Sequence, residues 1–374
     1  MFLIFNENKI KELKKDTISI YEKTFSNVIN IESPSITQNN SDIKKVTGAN
    51  YYTSLAIYYH PNPDTSTGFP YIRKDGFRNL ESEEASDGKY LGILSYSLLH
   101  LCILYHCTKS EKYAIKAIES INKFFINPNT KMKPDLTYSG LVIGNSMDDL
   151  RIRGAIIDAG RLCMLPDLIE FIKSSPSWTP EMQNYMVDWF GSLSDWLKTN
   201  PRGILQSGYS HNIKTSYMQQ LCSYLCFCGK QEEAKNYLEN NIRALLSSQI
   251  DNEGKQVLEM QRVKNRSYSN FNLSLLIKLA KISKSLGVNI WNYEDENGRG
   301  SIKKAMKYMC HFYLNPEEWN TSNEINDVTM LLSTRLWLQD GVQLYDDLVL
   351  HKTYELVKLN NNAIILSDII SLPN

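Results

Sequence analysis

Apolar residues recur at helical spacing along most of this 374-residue chain, and that pattern confines it to a helical fold. Leu91, Leu94, Leu98, Cys102 and Tyr105 form one stripe. Tyr113 to Phe125 form the next, after a polar break at Thr108 to Glu111. A third stripe spans 154–173, where Pro166 is expected to kink or break the helix. Thr179-Pro180-Glu181 is a helix start, with Thr as cap and Pro at the first position; that helix should run to Leu197 and stop before Pro201-Arg202-Gly203. Further helices are expected at 214–228, 232–249, 270–286, 302–314, 325–339 and 346–359. Short loops between such helices favour antiparallel neighbours. The expected class is therefore all-α: a stacked or circular array of helical hairpins in one domain over 1–374, without a residue-level repeat.

Charge narrows the function. Lys and Arg number 41, and Asp and Glu also 41, so no net field is available to hold nucleic acid. No apolar run of membrane-spanning length is read in the sequence, so no membrane partner is expected. Met1 to Phe5 is too short for a secretory signal core. The chain as given is thus expected in the cytoplasm, or outside it (secreted or periplasmic) if a native N-terminus is missing. The seven Cys read as buried reduced thiols. Cys222, Cys226 and Cys228 make C-x3-C-x-C, but the third leaves the helix face of the first two, which is poor zinc geometry. Tyrosine is abundant, with 22 residues against 12 Phe and 6 Trp. Its flat face and hydroxyl suit sugar binding, proton transfer or simple half-buried packing.

Two long segments interrupt the helical pattern. Residues 49–79 are rich in Tyr, Pro, Asp and Gly, and 127–153 run from Asn127-Pro128 to Arg153. They line a cleft or cap helix ends; long structured loops are commonly functional. Residues 1–48 are read as a helix followed by a polar loop or lid over 33–47.

These segments carry a resemblance. NYYTSLAIYYHPNPDTSTGFPYIRKDGFRN at 50–79 resembles the N-terminal motif of the alginate lyase superfamily, HDYxSLAPYWWPDP followed by G-x-PYIRRDG. NPNTKMKPDLTYSG at 127–140 is similar to P-x-T-x-MNPNLxYAQ, and RIRGAIIDAG at 151–160 to a GRxxGIID-like stretch. HNIKTSYMQQ at 211–220 resembles NNHGTWYDVQ. QIDNEGKQVLEMQRVKNRSYSNFNL, starting at 249, resembles QIxxDGxQPxELxRTxSxHYSxFNL. The motifs come in family order over roughly residues 50–300. The resemblance implies an (α/α) toroid, an incomplete barrel of antiparallel helical hairpins.

It also implies a chemistry: β-elimination in a uronic-acid-containing glycan. The uronate C5 proton is removed and the 4-linked sugar leaves, with no metal or other cofactor required. By motif match Tyr268 is the base and acid, and Arg262 stands where the family has its Arg. Asn212 is the match for the residue that neutralises the uronate carboxylate. The family's catalytic His falls on Ile213, with His211 as a stand-in from a neighbouring position. Tyr58, Tyr59 and His60 offer a sugar platform or pack on their own loop. Asp135, Tyr138, Arg153, Tyr217 and Arg266 complete the candidate substrate contacts. Asp135 replaces an amide and, if it faces the site, would repel a carboxylate. The implied partner is an anionic oligo- or polysaccharide. Two functions remain open: a polysaccharide lyase, or a catalytically inactive toroid that binds a glycan or a protein.

Overall fold

The computed structural model describes residues 2–5, 10, 12–144, 155–319 and 328–357. The first half contains α1 (Lys15–Phe25), α2 (Asp42–Thr47), β1 (Thr53–Leu55), β2 (Tyr59–His60), β3 (Ile72–Arg73), α3 (Leu80–Ala85), α4 (Gly88–Thr108), α5 (Glu111–Ile121), β4 (Tyr138–Leu141), α6 (Ala155–Asp158) and α7 (Leu165–Ile172). Then follow α8 (Pro180–Thr199), α9 (Pro201–Ser207), α10 (Asn212–Phe227), α11 (Gln231–Gln249), α12 (Asn265–Ser285), α13 (Ile302–Leu314), α14 (Val328–Tyr345) and α15 (Leu348–Leu356). Two compact units emerge. One comprises Phe25–Tyr209 and Ser223–Lys230; the other comprises Met1–Thr24, Ser210–Cys222 and Gln231–Asn374.

In the unit built from Phe25–Tyr209, α4 packs on α5 and α7. Among the described residues it is the one helix long and apolar enough to cross a membrane by length and composition, which corrects the sequence reading that no such segment exists. Its apolar character has a packing cause. Leu91, Leu94, Leu98, Leu101, Cys102, Ile103, Leu104 and Tyr105 are all buried within the protein. The polar stretch 33–47 is not a lid. Ser35 caps a short 3-10 turn over Ile36–Gln38 in a capping box. Lys44 of α2 lies 2.6 Å from Asp87 with both side chains almost fully buried, and Asp87 also accepts from Asn39 Nδ2 at 2.8 Å and from the Thr53 amide at 2.7 Å. A charge pair this well satisfied pins the segment in place.

The two long loops meet in a two-stranded parallel pairing, Thr53 with Tyr138 and Leu55 with Leu141, with an irregular register between them. Gly140 sits at that irregularity with φ +69°, and its amide donates to Ser54 Oγ at 2.9 Å. The family's Gln would be strained there. A second ribbon pairs Tyr59 with Arg73 and His60 with Ile72, antiparallel.

The helix start at Thr179 is as expected, its hydroxyl accepting from the Met182 amide at 3.3 Å. That helix stops before Pro201 as expected, at Thr199, and a further short helix, which the sequence reading did not anticipate, starts at Pro201. Asn200 caps it through the Arg202 amide at 2.9 Å, and Pro201 takes a first-turn position that needs no amide donor. A Cβ at Gly203 would sit 2.3 Å from the Leu197 carbonyl, so only glycine lets α9 fold back this closely on α8. The 154–173 stretch breaks as Pro166 implies, with that residue in the first turn of α7.

The second unit packs α12 against α13 and α14, and α15 against α13 and α14. Lys281 of α12 and Asp340 of α14 form a buried pair at 2.9 Å, 6% and 1% exposed. Helix α14 extends to Tyr345, past the expected end at 339. Gly341 inside it is a close approach, since a Cβ there would lie 2.9 Å from Met306 Sδ on α13.

Candidate active site

The family-motif residues of the second unit gather around the start of α10 and the start of α12. His211 ends the loop before α10. Its carbonyl accepts from the Lys214 amide at 2.8 Å and its Nδ1 from the Ile213 amide at 3.4 Å, the bonding of a helix cap. Asn212 is buried. Its backbone amide donates to Glu259 Oε1 at 2.8 Å, and its side-chain Nδ2 donates to Glu259 Oε1 at 2.9 Å and Oε2 at 2.8 Å. Glu259 is 2% exposed. Burial pushes its carboxyl above its ordinary value, against the lowering pull of the Asn212 hydrogen bonds and the Arg262 charge. Ile213, at the family's His position, is buried.

Three residues on from Glu259, the Arg262 guanidinium lies 3.5 Å from the centroid of the Tyr268 ring. Tyr268 is half-buried in the first turn of α12. Asn212, Glu259, Arg262 and Tyr268 are therefore linked pairwise. Glu259 is the member that sequence reasoning passes over. Its signal lies in the ELxR part of the matched motif, where it stands three residues before the Arg.

A buried polar chain fixes this geometry. Gln249 Nε2 donates to Thr215 Oγ1 at 3.0 Å. Asn272 Nδ2 donates to Gln249 Oε1 at 2.9 Å and to Gln256 Oε1 at 2.8 Å. Gln256 Nε2 donates to the Ser269 carbonyl at 2.8 Å. Thr215 is on α10, Gln249 on α11, Gln256 in the turn that leads to Glu259, and Asn272 and Ser269 on α12. The chain thus ties together every element that carries a candidate catalytic side chain. Buried networks of this kind rigidify a core, although Asn272 Oδ1 has no hydrogen-bond partner among the described residues.

Two candidate substrate contacts lie inside this unit. Tyr217 is 3% exposed and packs against Tyr237 at 6.3 Å; burial pushes its hydroxyl up to about 12. Arg266 is buried, with its guanidinium 4.5 Å from the Tyr313 ring centroid. Both offer little surface to a ligand.

The other candidates belong to the first unit. Tyr58, Tyr59 and His60 are half-buried. Tyr59 packs on the small core of Leu55, Tyr71, Leu141 and Val142, as does Tyr138. His60 Nε2 lies 3.0 Å from the Phe77 carbonyl and staples the loop. Asp135 is half-buried, and its Oδ1 accepts from the Thr137 amide at 2.7 Å. An Asn could make the same turn bond. Arg153 lies outside the described residues.

Residues 32–319 of the chain match the family model described as alginate lyase. The chain belongs to the alginate lyase family. It is similar along its whole length to the crystal structure of an alginate lyase from Bacteroides ovatus, with a TM-score of 0.90, 25% identity and 99% of each chain covered. It is also similar to alginate lyase A1-III from Sphingomonas species A1, with a TM-score of 0.55 and 13% identity over 90% of this chain and 89% of that one, a likeness of fold alone. No curated protein sequence matches the chain. The all-α class expected from the helical spacing, in its (α/α)-toroid form, is thereby established. The family supports polysaccharide lyase activity in general, on an acidic polysaccharide.

Proposed function

We propose that the chain cleaves a uronic-acid-containing glycan by β-elimination, with Tyr268 as both base and acid. The observation that carries this reading is the Arg262 guanidinium 3.5 Å from the Tyr268 ring centroid, beside the Asn212–Glu259 pair. A free tyrosine hydroxyl ionises near pH ~10. A guanidinium in contact with the ring favours the phenolate and so makes a base. The phenolate takes the C5 proton, electrons pass through the enolate to expel the 4-linked oxygen, and the protonated Tyr268 returns its proton to that oxygen. Developing enolate charge needs cationic or amide donors. Arg262 is the cation of this cluster; both Asn212 Nδ2 contacts go to Glu259, so Asn212 serves the uronate by exchanging one of them for the sugar carboxylate when substrate binds. His211, bonded as a helix cap, assists by fixing the start of α10.

A second reading is a non-catalytic protein that binds a glycan or a protein partner. It is favoured by Ile213, buried where the family has its catalytic His, and by an Asn212 amide whose donors are held by Glu259. Incubation with polymannuronate, polyguluronate and glucuronan, followed by the ultraviolet absorbance of the unsaturated uronate, separates the two. Lyase activity on one of them that is lost in Tyr268→Phe supports the first reading. No product from any polymer, with Tyr268→Phe binding like wild type, supports the second.

A further inference from the structure

The segment 131–138 is held more firmly than a surface loop needs to be. The Trp189 indole donates to the Met132 carbonyl at 2.9 Å and the Trp196 indole to Thr137 Oγ1 at 3.3 Å. Asn50 Nδ2 donates to the Lys131 carbonyl at 2.7 Å, and the Lys133 amide donates to the Asn50 carbonyl at 2.8 Å. Lys131 Nζ reaches the Tyr185 hydroxyl at 3.0 Å. On this braced backbone stand two substitutions for family amides, Lys133 and Asp135.

Lys133 is exposed, and its ammonium lies 4.0 Å from the centroid of the Tyr51 ring. Tyr51 in turn meets Tyr138 edge-on at 5.3 Å and 81°. A solvent-facing lysine normally keeps wide rotamer freedom, whose loss weakens binding. Contact with the aromatic face removes part of that freedom before any ligand arrives. Lys133 has no ion-pair partner among the described residues. Two residues on, Asp135 spends Oδ1 on the Thr137 amide, which leaves Oδ2 as an acceptor.

We propose that Lys133, with the Tyr51 and Tyr138 rings and Asp135, forms a binding site for one acidic sugar ring. Lys133 takes the sugar carboxylate, Asp135 accepts from ring hydroxyls, and the tyrosine rings cover an apolar sugar edge. Exchange of two neutral amides for a cation and an anion keeps the local charge at zero but separates donor from acceptor. A sugar acid, which carries a carboxylate and free hydroxyls, fits that division; a neutral sugar leaves Lys133 without a counter-charge. The site deepens the glycan reading above but does not need elimination to occur.

The test is calorimetric titration of the full chain carrying Tyr268→Phe, which removes turnover, with and without Lys133→Met. The probes are an oligomannuronate, an oligoglucuronate and a neutral cello-oligosaccharide of equal length. The expected result is an affinity loss of about tenfold for at least one acidic oligosaccharide in Lys133→Met, with weaker salt dependence. Lys133→Arg should retain most of the affinity, and binding of the neutral probe should not change. Equal loss for acidic and neutral probes, no loss for either, or no binding of any probe to the chain with Lys133 intact overturns the proposal. If acidic probes bind through Lys133 while wild type releases no unsaturated product, the lyase reading fails and this one stands. If wild type cleaves and Lys133→Met leaves both affinity and KM unchanged, this one fails alone.

Discussion

Asn212→Leu tests whether Asn212 and Glu259 act as one unit. The substitution keeps side-chain volume and removes both Nδ2 contacts, at 2.9 and 2.8 Å, leaving Glu259 with the backbone donor of residue 212 at 2.8 Å. A hydrogen bond to a charged group is worth about 1.5–3 kcal/mol, and the carboxylate it served is 2% exposed. The expected loss near neutral pH is therefore about 2–4 kcal/mol. The loss should depend on pH with a definite sign. Glu259 in the folded chain already lies above its ordinary value because of burial, and removal of Asn212 raises it further. A group raised in this way contributes stability fully below its unfolded value, and that contribution fades as pH rises through the folded value. When Glu259 is protonated, a neutral bond is lost and the penalty falls to about 1 kcal/mol. Thermal unfolding of wild type and Asn212→Leu at about pH 4.5 and about pH 7.5 should thus show the larger Tm gap at the higher pH. An equal gap at both values, or a larger one in acid, would refute the coupling.

Other perturbations probe the same unit. Arg262→Met should lower turnover on a uronate polymer about a hundredfold and move the rising limb of the pH–rate profile to higher pH, because the phenolate loses its cation; an unmoved limb denies Arg262 that role. Asn272→Leu removes one of the two donors near Gln249 Oε1, where the Thr215 hydroxyl remains at 3.2 Å, and the side-chain donor of Gln256 Oε1, and should cost about 1–3 kcal/mol in urea unfolding. Lys281→Met removes the cation 2.9 Å from Asp340, which is 1% exposed, with a cost of about 3–5 kcal/mol. Adding Asp340→Leu should restore much of that, and no restoration would place the cost elsewhere.

The helices were legible where an apolar stripe marks them and illegible where function or close packing replaces the stripe. Helix α12 begins at Asn265 rather than 270 because its first turn, Asn265 to Ser269, carries polar side chains, among them the Tyr268 hydroxyl. Helix α14 outruns its expected end because Gly341 resembles a stop in one dimension but serves contact with Met306 in three. Pro201 marks the end of α8 as read, but Asn200 before it also caps a new helix, which a proline read as a stop alone does not announce. The 33–47 segment reads as a loop because its burial rests on the Lys44–Asp87 pair, which joins residues far apart in sequence.

The candidate site was legible as motifs but not as roles. Tyr268 and Arg262 are neighbours in sequence and in space, so the motif alone brings them together. Glu259 stayed hidden because an acidic residue beside an anionic substrate looks like a liability until its partner, Asn212, is seen 47 positions away. That pairing also bears on the departures from the family pattern. Ile213 removes an imidazole from beside Asn212, and its own side chain is buried. Tyr268, half-buried with the Arg262 guanidinium 3.5 Å from its ring centroid, is the group to which the proposed mechanism assigns proton transfer. The substitutions at Lys133 and Asp135 add charge where the family has amides, and Gly140 accommodates a left-handed backbone. Lys133 stands on an aromatic face, in a segment whose Met132 carbonyl and Thr137 hydroxyl are held by two tryptophans, and the acidic-sugar proposal rests on that placement.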